Sequence, residues 1–275
     1  MAATVELAPH NPYGLALKCP VMAAAGCFGY GVEYARMVDV ARLGAVVTRS
    51  TTLRGRRAVR PPQLIETPAG VLVSGEWPDP GLERVLSRYA PVWAGWATPV
   101  LLSIVGETLE EYRAVAAALE GVEGIAGLEL NLAHQPEQAA RVVAAVRATT
   151  LLPLLAKLPP AGDGLAGLTV LAREVVDAGA DAITAIAAPR GLAANGHGEL
   201  VTGGLSGPAL RPLALAAVAE LAAAVALPIV GCGGIASVED ARLFLAAGAT
   251  AVQVGAALLA DPLAAVRIGD ALASG

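Results

Sequence analysis

Short apolar runs alternate with helical repeats along almost the whole chain, and this alternation constrains the fold more tightly than any single motif. Residues 21–25, 45–48, 100–105, 126–132, 153–158 and 182–187 each read as a strand. A seventh runs from Pro228 into Gly231-Cys232-Gly233-Gly234-Ile235, and an eighth ends in Gln253-Val254-Gly255-Ala256. Apolar residues at helical spacing fill 32–43, 109–119, 137–148, 167–178 and 208–225, and another helix starts near Gly81. Ser237 with Asp240 reads as a capping box, and Asp261-Pro262 opens the last helix. Strands separated by helices pair in parallel through right-handed crossovers, and eight of them close as a (β/α)8 barrel. The competing doubly wound sheet lacks its G-x-G-x-x-G turn and the acidic residue that follows it. A barrel of this length is expected to be one domain, residues 1–275.

Two segments depart from the alternation. Val5-Glu6-Leu7 and Leu15-Ala16-Leu17 flank the turn Asn11-Pro12-Tyr13-Gly14 and read as a hairpin across the barrel floor. Residues 54–62 are too basic and proline-bearing for an element, so they read as a long loop that continues through Glu66-Thr67-Pro68-Ala69-Gly70.

Composition narrows the partners. Hydrophobic residues make up 55% with only 4% aromatics, which describes a large aliphatic core. A net charge of -5 gives no general attraction to nucleic acid or to an anionic membrane, so a small molecule is the expected partner. No apolar run is long enough to span a bilayer, and the N-terminus lacks the pattern of a signal peptide. Cys19, Cys27 and Cys232 are odd in number and unpatterned, which argues against a disulfide framework or a metal site and fits a reducing cytoplasm.

In such a barrel the chemistry sits at the carboxyl ends of the strands. Those ends carry Ala25, Gly26, Cys27, Arg49, Ser50, Ser103, Asn131, Lys157, Ile186, Gly207, Gly233, Gly234, Gly255 and Ala256. Glycines at the ends of strands seven and eight let the main chain approach a phosphate with its N–H groups, though glycines also serve simply to turn a chain tightly. Lys157 ends a strand covered on both faces and therefore needs an anionic group opposite it, unless its ammonium snorkels to water. Arg49, Arg190 and the Arg54 to Arg60 cluster form a positive rim, suited to an anionic substrate, to a docking protein or to solvent.

Ala24-Ala25-Gly26-Cys27-Phe28-Gly29, Glu66-Thr67-Pro68-Ala69-Gly70, Leu128-Glu129-Leu130-Asn131-Leu132, Ala156-Lys157-Leu158, Gly203-Gly204-Leu205-Ser206-Gly207-Pro208 and Val252-Gln253-Val254-Gly255 carry a family resemblance. In order and spacing they resemble the class 1, cytosolic branch of the dihydroorotate dehydrogenases over nearly the whole chain. The resemblance implies FMN at the barrel mouth and oxidation of dihydroorotate to orotate in pyrimidine biosynthesis. It assigns the phosphate to Gly207, Gly233, Gly234, Gly255 and Ala256, and the ring and substrate side to Lys157 and Asn131. Ala25, Gly26, Ser50, Ser103 and Ile186 complete the expected cofactor contacts. Arg49 stands where the family has a lysine. A homodimer is expected, and some class 1 enzymes add an iron-sulfur flavoprotein subunit for electron transfer.

The departures are equally specific. Where the family continues from Asn131 with Leu-Ser-Cys-Pro-Asn, whose cysteine is the base, this chain reads Leu132-Ala133-His134-Gln135-Pro136. His134 could replace that base or be an exposed loop histidine. Val73 stands for a substrate asparagine and Ala187-Ala188 for an Asn-Thr pair, while His197 in a glycine-rich loop fits either substrate contact or solvent. These changes leave open a different small substrate, or an inactive flavin-binding paralogue serving as a partner subunit.

Overall fold

A computed structural model describes residues 4–57, 63–75, 77–133, 135–160 and 164–274. Eight strands close into a parallel barrel: β3 (Val21–Ala23), β4 (Ala45–Val47), β7 (Val100–Ile104), β8 (Gly127–Asn131), β9 (Leu154–Lys157), β10 (Ala182–Ala185), β13 (Ile229–Cys232) and β14 (Ala251–Val254). They follow one another around the ring in chain order, and β14 closes it against β3 with Gln253 beside Met22. The helices expected between them are present from Leu109–Leu119 onward, some with a 3-10 first turn, as at Pro136–Gln138 and Pro208–Leu210. Among the described residues no helix is long and apolar enough to cross a membrane.

Side chains alternate along each strand, and the inward rows sort by height. The lower rows are apolar: Met22, Ala45, Val47, Leu101, Leu155, Ala182, Val230 and Ala251 form one buried cluster. The floor hairpin, β1 (Val5–Glu6) and β2 (Ala16–Leu17), pairs antiparallel and adds Leu7, Leu15 and Leu17 to that cluster. Glu6 fixes its bend by accepting from the N–H groups of Ala8 (2.8 Å) and Leu15 (2.5 Å). Asp181 ties the hairpin to the barrel by accepting from Asn11 at 3.1 Å, Arg147 at 2.6 Å and the Leu154 N–H at 2.8 Å.

The helix expected over 32–43 does not form. Its place is taken by successive turns and a single 3-10 turn, Val40–Arg42. Gly29 and Gly31 hold positive φ at its start, and Asp39 is extended with its carboxylate accepting from the Ala41 N–H. That side-chain bond offers the backbone an alternative to a helical turn. The apolar spacing is used differently: Val38 is buried, Tyr34 stacks on Phe28, and Met37 is exposed.

The expected long loop and the glycine-rich loop around His197 are also corrected. β5 (Gln63–Thr67) and β6 (Gly70–Ser74) form a hairpin whose turn is the Pro68-Ala69 segment, and β11 (Arg190–Ala194) pairs with β12 (Leu200–Ser206). The two hairpins join through β6 and β12 as a four-stranded antiparallel sheet. A Cβ on Gly203 would lie 2.2 Å from the Val73 carbonyl oxygen, so glycine is what lets these strands meet. Of the basic loop, residues 58–62 lie outside the described residues.

Leu17 is fully buried beneath the barrel interior. Leu17→Ala should destabilise the protein by about 2–5 kcal/mol in urea denaturation. A loss below about 1 kcal/mol would mean that the hairpin does not seal the floor.

Candidate active site at the barrel mouth

Two residues above the apolar rows, the same inward strand faces become polar. Ser103 follows Leu101, Lys157 follows Leu155, Thr184 follows Ala182, Cys232 follows Val230 and Gln253 follows Ala251. Glu129 joins this layer from β8 and is fully buried. Its carboxylate accepts from Gln253 Nε2 at 2.6 Å, Thr184 Oγ1 at 3.1 Å and Lys157 Nζ at 3.4 Å. Lys157 also donates to Gln253 Oε1 at 3.2 Å. The lysine therefore has its anion inside the barrel and does not reach out to water.

Burial works against the Lys157 charge, but Cys232 and Glu129 outweigh it and raise the ammonium above the ordinary lysine value. Burial raises the Cys232 thiol in turn, so at neutral pH the opposing charge comes from Glu129. Burial and the neighbouring Cys232 also push the Cys27 thiol up to about 11, which leaves it protonated and a poor base.

Above the polar layer lies a cavity of about 890 Å³, within the usual range for a small-molecule site. Every residue expected to bind the cofactor lines it: Ala25, Gly26, Arg49, Ser50, Ser103, Asn131, Lys157, Ile186, Gly207, Gly233, Gly234, Gly255 and Ala256. The antiparallel sheet forms its outer wall through Val71, Val73, Gly204 and Ser206. Ala187 and Ala188 add further apolar surface. Opposite stands a polar shelf. Ser50 and Ser103 hydroxyls are 2.9 Å apart, and Asn131 Nδ2 donates to Ser50 at 3.3 Å. The Arg49 guanidinium lies 4.5 Å from the centre of the Trp77 ring, and its Nε is buried without a partner.

The end of β13 is pinned from behind. Asp240 accepts from the N–H groups of Ala236 (2.9 Å) and Ser237 (3.0 Å), completes the capping box with Ser237, and pairs with Arg211 at the start of the preceding helix, Arg211–Ala224. A Cβ on Gly234 would lie 2.6 Å from the Arg211 backbone nitrogen, so the turn and that helix approach at glycine distance. Among the described residues, the N–H groups of Gly233, Gly234, Gly255 and Ala256 donate to no protein acceptor. Unpaired amides converging from two adjacent strand ends make an anion cradle.

A sequence profile described as Dihydroorotate dehydrogenase matches residues 8–275. The chain belongs to the dihydroorotate dehydrogenase family. The dihydroorotate dehydrogenase B (NAD(+)) catalytic subunit of Desulforudis audaxviator is 40% identical over 272 residues, covering 93% of this chain and 88% of that protein. The subunits of the same name from Citrifermentans bemidjiense and Geobacillus kaustophilus are 38% and 37% identical, covering 93% and 90% of this chain and 88% and 84% of their own. The cofactor of this family is FMN. The residues fit it: unpaired amides suit its phosphate, the cavity suits its bulk, and a buried ammonium suits the electron-rich edge of its ring.

Glu129 and Gln253 were not singled out in the sequence, yet the rule that found Lys157 could have found them. Each lies on a strand's inward row, and a charge there requires partners on neighbouring inward rows. His197 is exposed at the turn between β11 and β12 and does not line the cavity. His134 lies outside the described residues; beyond it the chain enters the 3-10 turn Pro136–Gln138 and then the helix Ala139–Arg147.

Burial opposes the Asp240 charge, but the Ala236 N–H and Arg211 outweigh it and lower its pKa below 3.8. A carboxylate so depressed contributes stability above its unfolded value, and the contribution is lost as pH falls through the folded one. Asp240→Asn should therefore cost about 1–3 kcal/mol near neutral pH, with the gap from wild type closing as denaturation is repeated toward about pH 3.

Proposed function

We propose that this chain is an FMN-dependent catalytic subunit that oxidises dihydroorotate to orotate and passes the electrons to an NAD-linked partner. The observation that carries the reading is one cavity with a paired, buried Lys157 at its base and an amide cradle at its side. Bound FMN would supply the redox chemistry by taking up the electrons that leave the substrate. The names of the similar proteins, catalytic subunits of an NAD(+)-dependent enzyme, support the partner.

The roles of the chain's own residues follow from their chemistry. Gly207, Gly233, Gly234, Gly255 and Ala256 would hold the phosphate with main-chain donors. Lys157 fixes a positive charge beside the ring, and Ser50, Ser103 and Asn131 offer hydrogen bonds on the shelf side. Arg49 keeps the charge of the lysine the family has there. Stacked on Trp77 with one nitrogen unsatisfied, it can receive an anionic substrate group. Val73, Ala187 and Ala188 exclude water from the outer wall. The exposed Arg54, Arg57 and Arg190 form a rim on which an acidic partner could dock, and the subunit would pair with its own copy as a homodimer.

A specific observation favours a second reading, a related but less polar ring compound. Val73, Ala187 and Ala188 line the cavity where the family places amide and hydroxyl groups, and a pocket that recognises polar atoms needs partners for them. An inactive paralogue has less support, because the polar layer and its lysine are intact.

The test is a spectrum of the purified protein followed by anaerobic addition of dihydroorotate. The expected result is a yellow protein that bleaches, with bleaching slowed on the order of 10²-fold in Lys157→Gln. A yellow protein bleached by another dihydropyrimidine but not by dihydroorotate would favour the second reading.

A further inference from the structure

Glu129 is a carboxylate inside the barrel, with no surface exposed, in the polar layer that forms the base of the cavity. Its acceptor positions are occupied by Gln253, Thr184 and Lys157. Each donor comes from a different strand, β14, β10 and β9, so the carboxylate ties three walls of the barrel together. Gln253 is shared: its amide nitrogen donates to Glu129 and its amide oxygen accepts from Lys157. An ammonium has three donors. Two are spent on Glu129 and Gln253, and the ammonium also lies within hydrogen-bond reach of Cys232, which lines the same cavity as Lys157.

We propose that Glu129 is the positioning residue of this site: itself held by Thr184, it fixes the Lys157 ammonium in place directly and through the shared Gln253, and it supplies the counter-charge beside the cofactor. This rests on the reading of the cavity as a flavin site. Removing one partner of a buried pair leaves the other uncompensated, and an isolated buried lysine sheds its proton. The other groups facing Lys157 do not replace the carboxylate. Gln253 is neutral, and Cys27 and Cys232 are thiols whose burial keeps them protonated.

Glu129→Gln keeps the shape and removes the charge. In wild type Lys157 should stay charged across about pH 6–9, so no lysine titration appears in the potential of the bound flavin there. In E129Q Lys157 should lose its proton within the accessible range, so the potential falls below wild type by an amount that grows as pH rises. The double variant E129Q/K157Q, which has no charge left to lose, should show no such break. A difference from wild type that is independent of pH, or one that persists unchanged in the double variant, would overturn the proposal by showing that Glu129 acts other than through Lys157.

A measurement on wild type alone covers the case in which E129Q fails to fold. With ¹⁵N-labelled lysine, one Nζ signal absent from K157Q should keep its ammonium form above the ordinary lysine range, with or without FMN. A Lys157 that titrates at or below that range would overturn the role of Glu129. A wild type that binds no FMN would overturn the flavin reading instead, and the ¹⁵N measurement would still decide Glu129's hold on Lys157.

Discussion

A strand in a closed parallel barrel is covered on both faces, so a charge on its inward row must find its counter-charge inside the barrel. Lys157 meets that requirement with Glu129, and Gln253 and Thr184 complete the polar layer around the pair. Replacing such a pair with apolar residues is often neutral or stabilising, so its presence argues for a use other than holding the fold. Here the use is a fixed positive charge at the base of a cavity otherwise lined largely by alanine, valine and glycine. Such a charge would be costly without a partner, and the three donors around Glu129 lower that cost.

The pair can exist only because the barrel is closed at both ends by segments outside the repeat. Beneath it, the hairpin of β1 and β2 completes an apolar plug that keeps water from the lower rows. Above it, the sheet formed by β5, β6, β11 and β12 walls the cavity without filling it, leaving a volume of about 890 Å³. Effective dielectric falls as water is excluded, which strengthens the hold of the carboxylate on the ammonium and the field of the ammonium on whatever lies above it. Floor, polar layer and roof thus act on one quantity, the electrostatic environment of the mouth.

The barrel was legible because its signal is local: each strand and helix carries its own periodicity, and the order of elements dictates parallel closure. The cavity-lining residues were legible for the same reason, since the end of each strand marks the mouth. What escaped depends on contacts between distant segments. The roof sheet pairs Leu72 with Leu205, a partnership that no window around either residue contains, and its half-exposed strands resemble loops in composition. The failure at 32–43 is of another kind. The apolar spacing there is genuine, but an Asp39 side-chain bond and two positive-φ glycines redirect the chain into turns that bury Val38 and leave Met37 in solvent. Glu129 was hidden in plain sight within Leu128-Glu129-Leu130-Asn131, where a carboxylate among leucines reads as part of a motif until the strand's inward face is assigned.

Cofactor and substrate make opposite demands on this mouth, and the chain answers them differently. Gripping a phosphate requires backbone donors and little else, so the residues proposed for it are fixed by conformation: Gly207, Gly233 and Gly234 all hold positive φ. Recognising a ring substrate requires side-chain donors and acceptors, and these are free to change without disturbing the backbone. On the proposed reading, the apolar wall at Val73, Ala187 and Ala188 and the Arg49–Trp77 stack form the substrate side of the site. With few hydrogen-bonding groups on that wall, discrimination must come mainly from shape and from the charge of Arg49. Shape in a hydrophobic pocket separates close analogues by only about 1–3 kcal/mol per methylene. On the proposed reading, the wall therefore limits selectivity on the substrate side, while the charge of Lys157 and the cradle at the strand ends would serve the cofactor side.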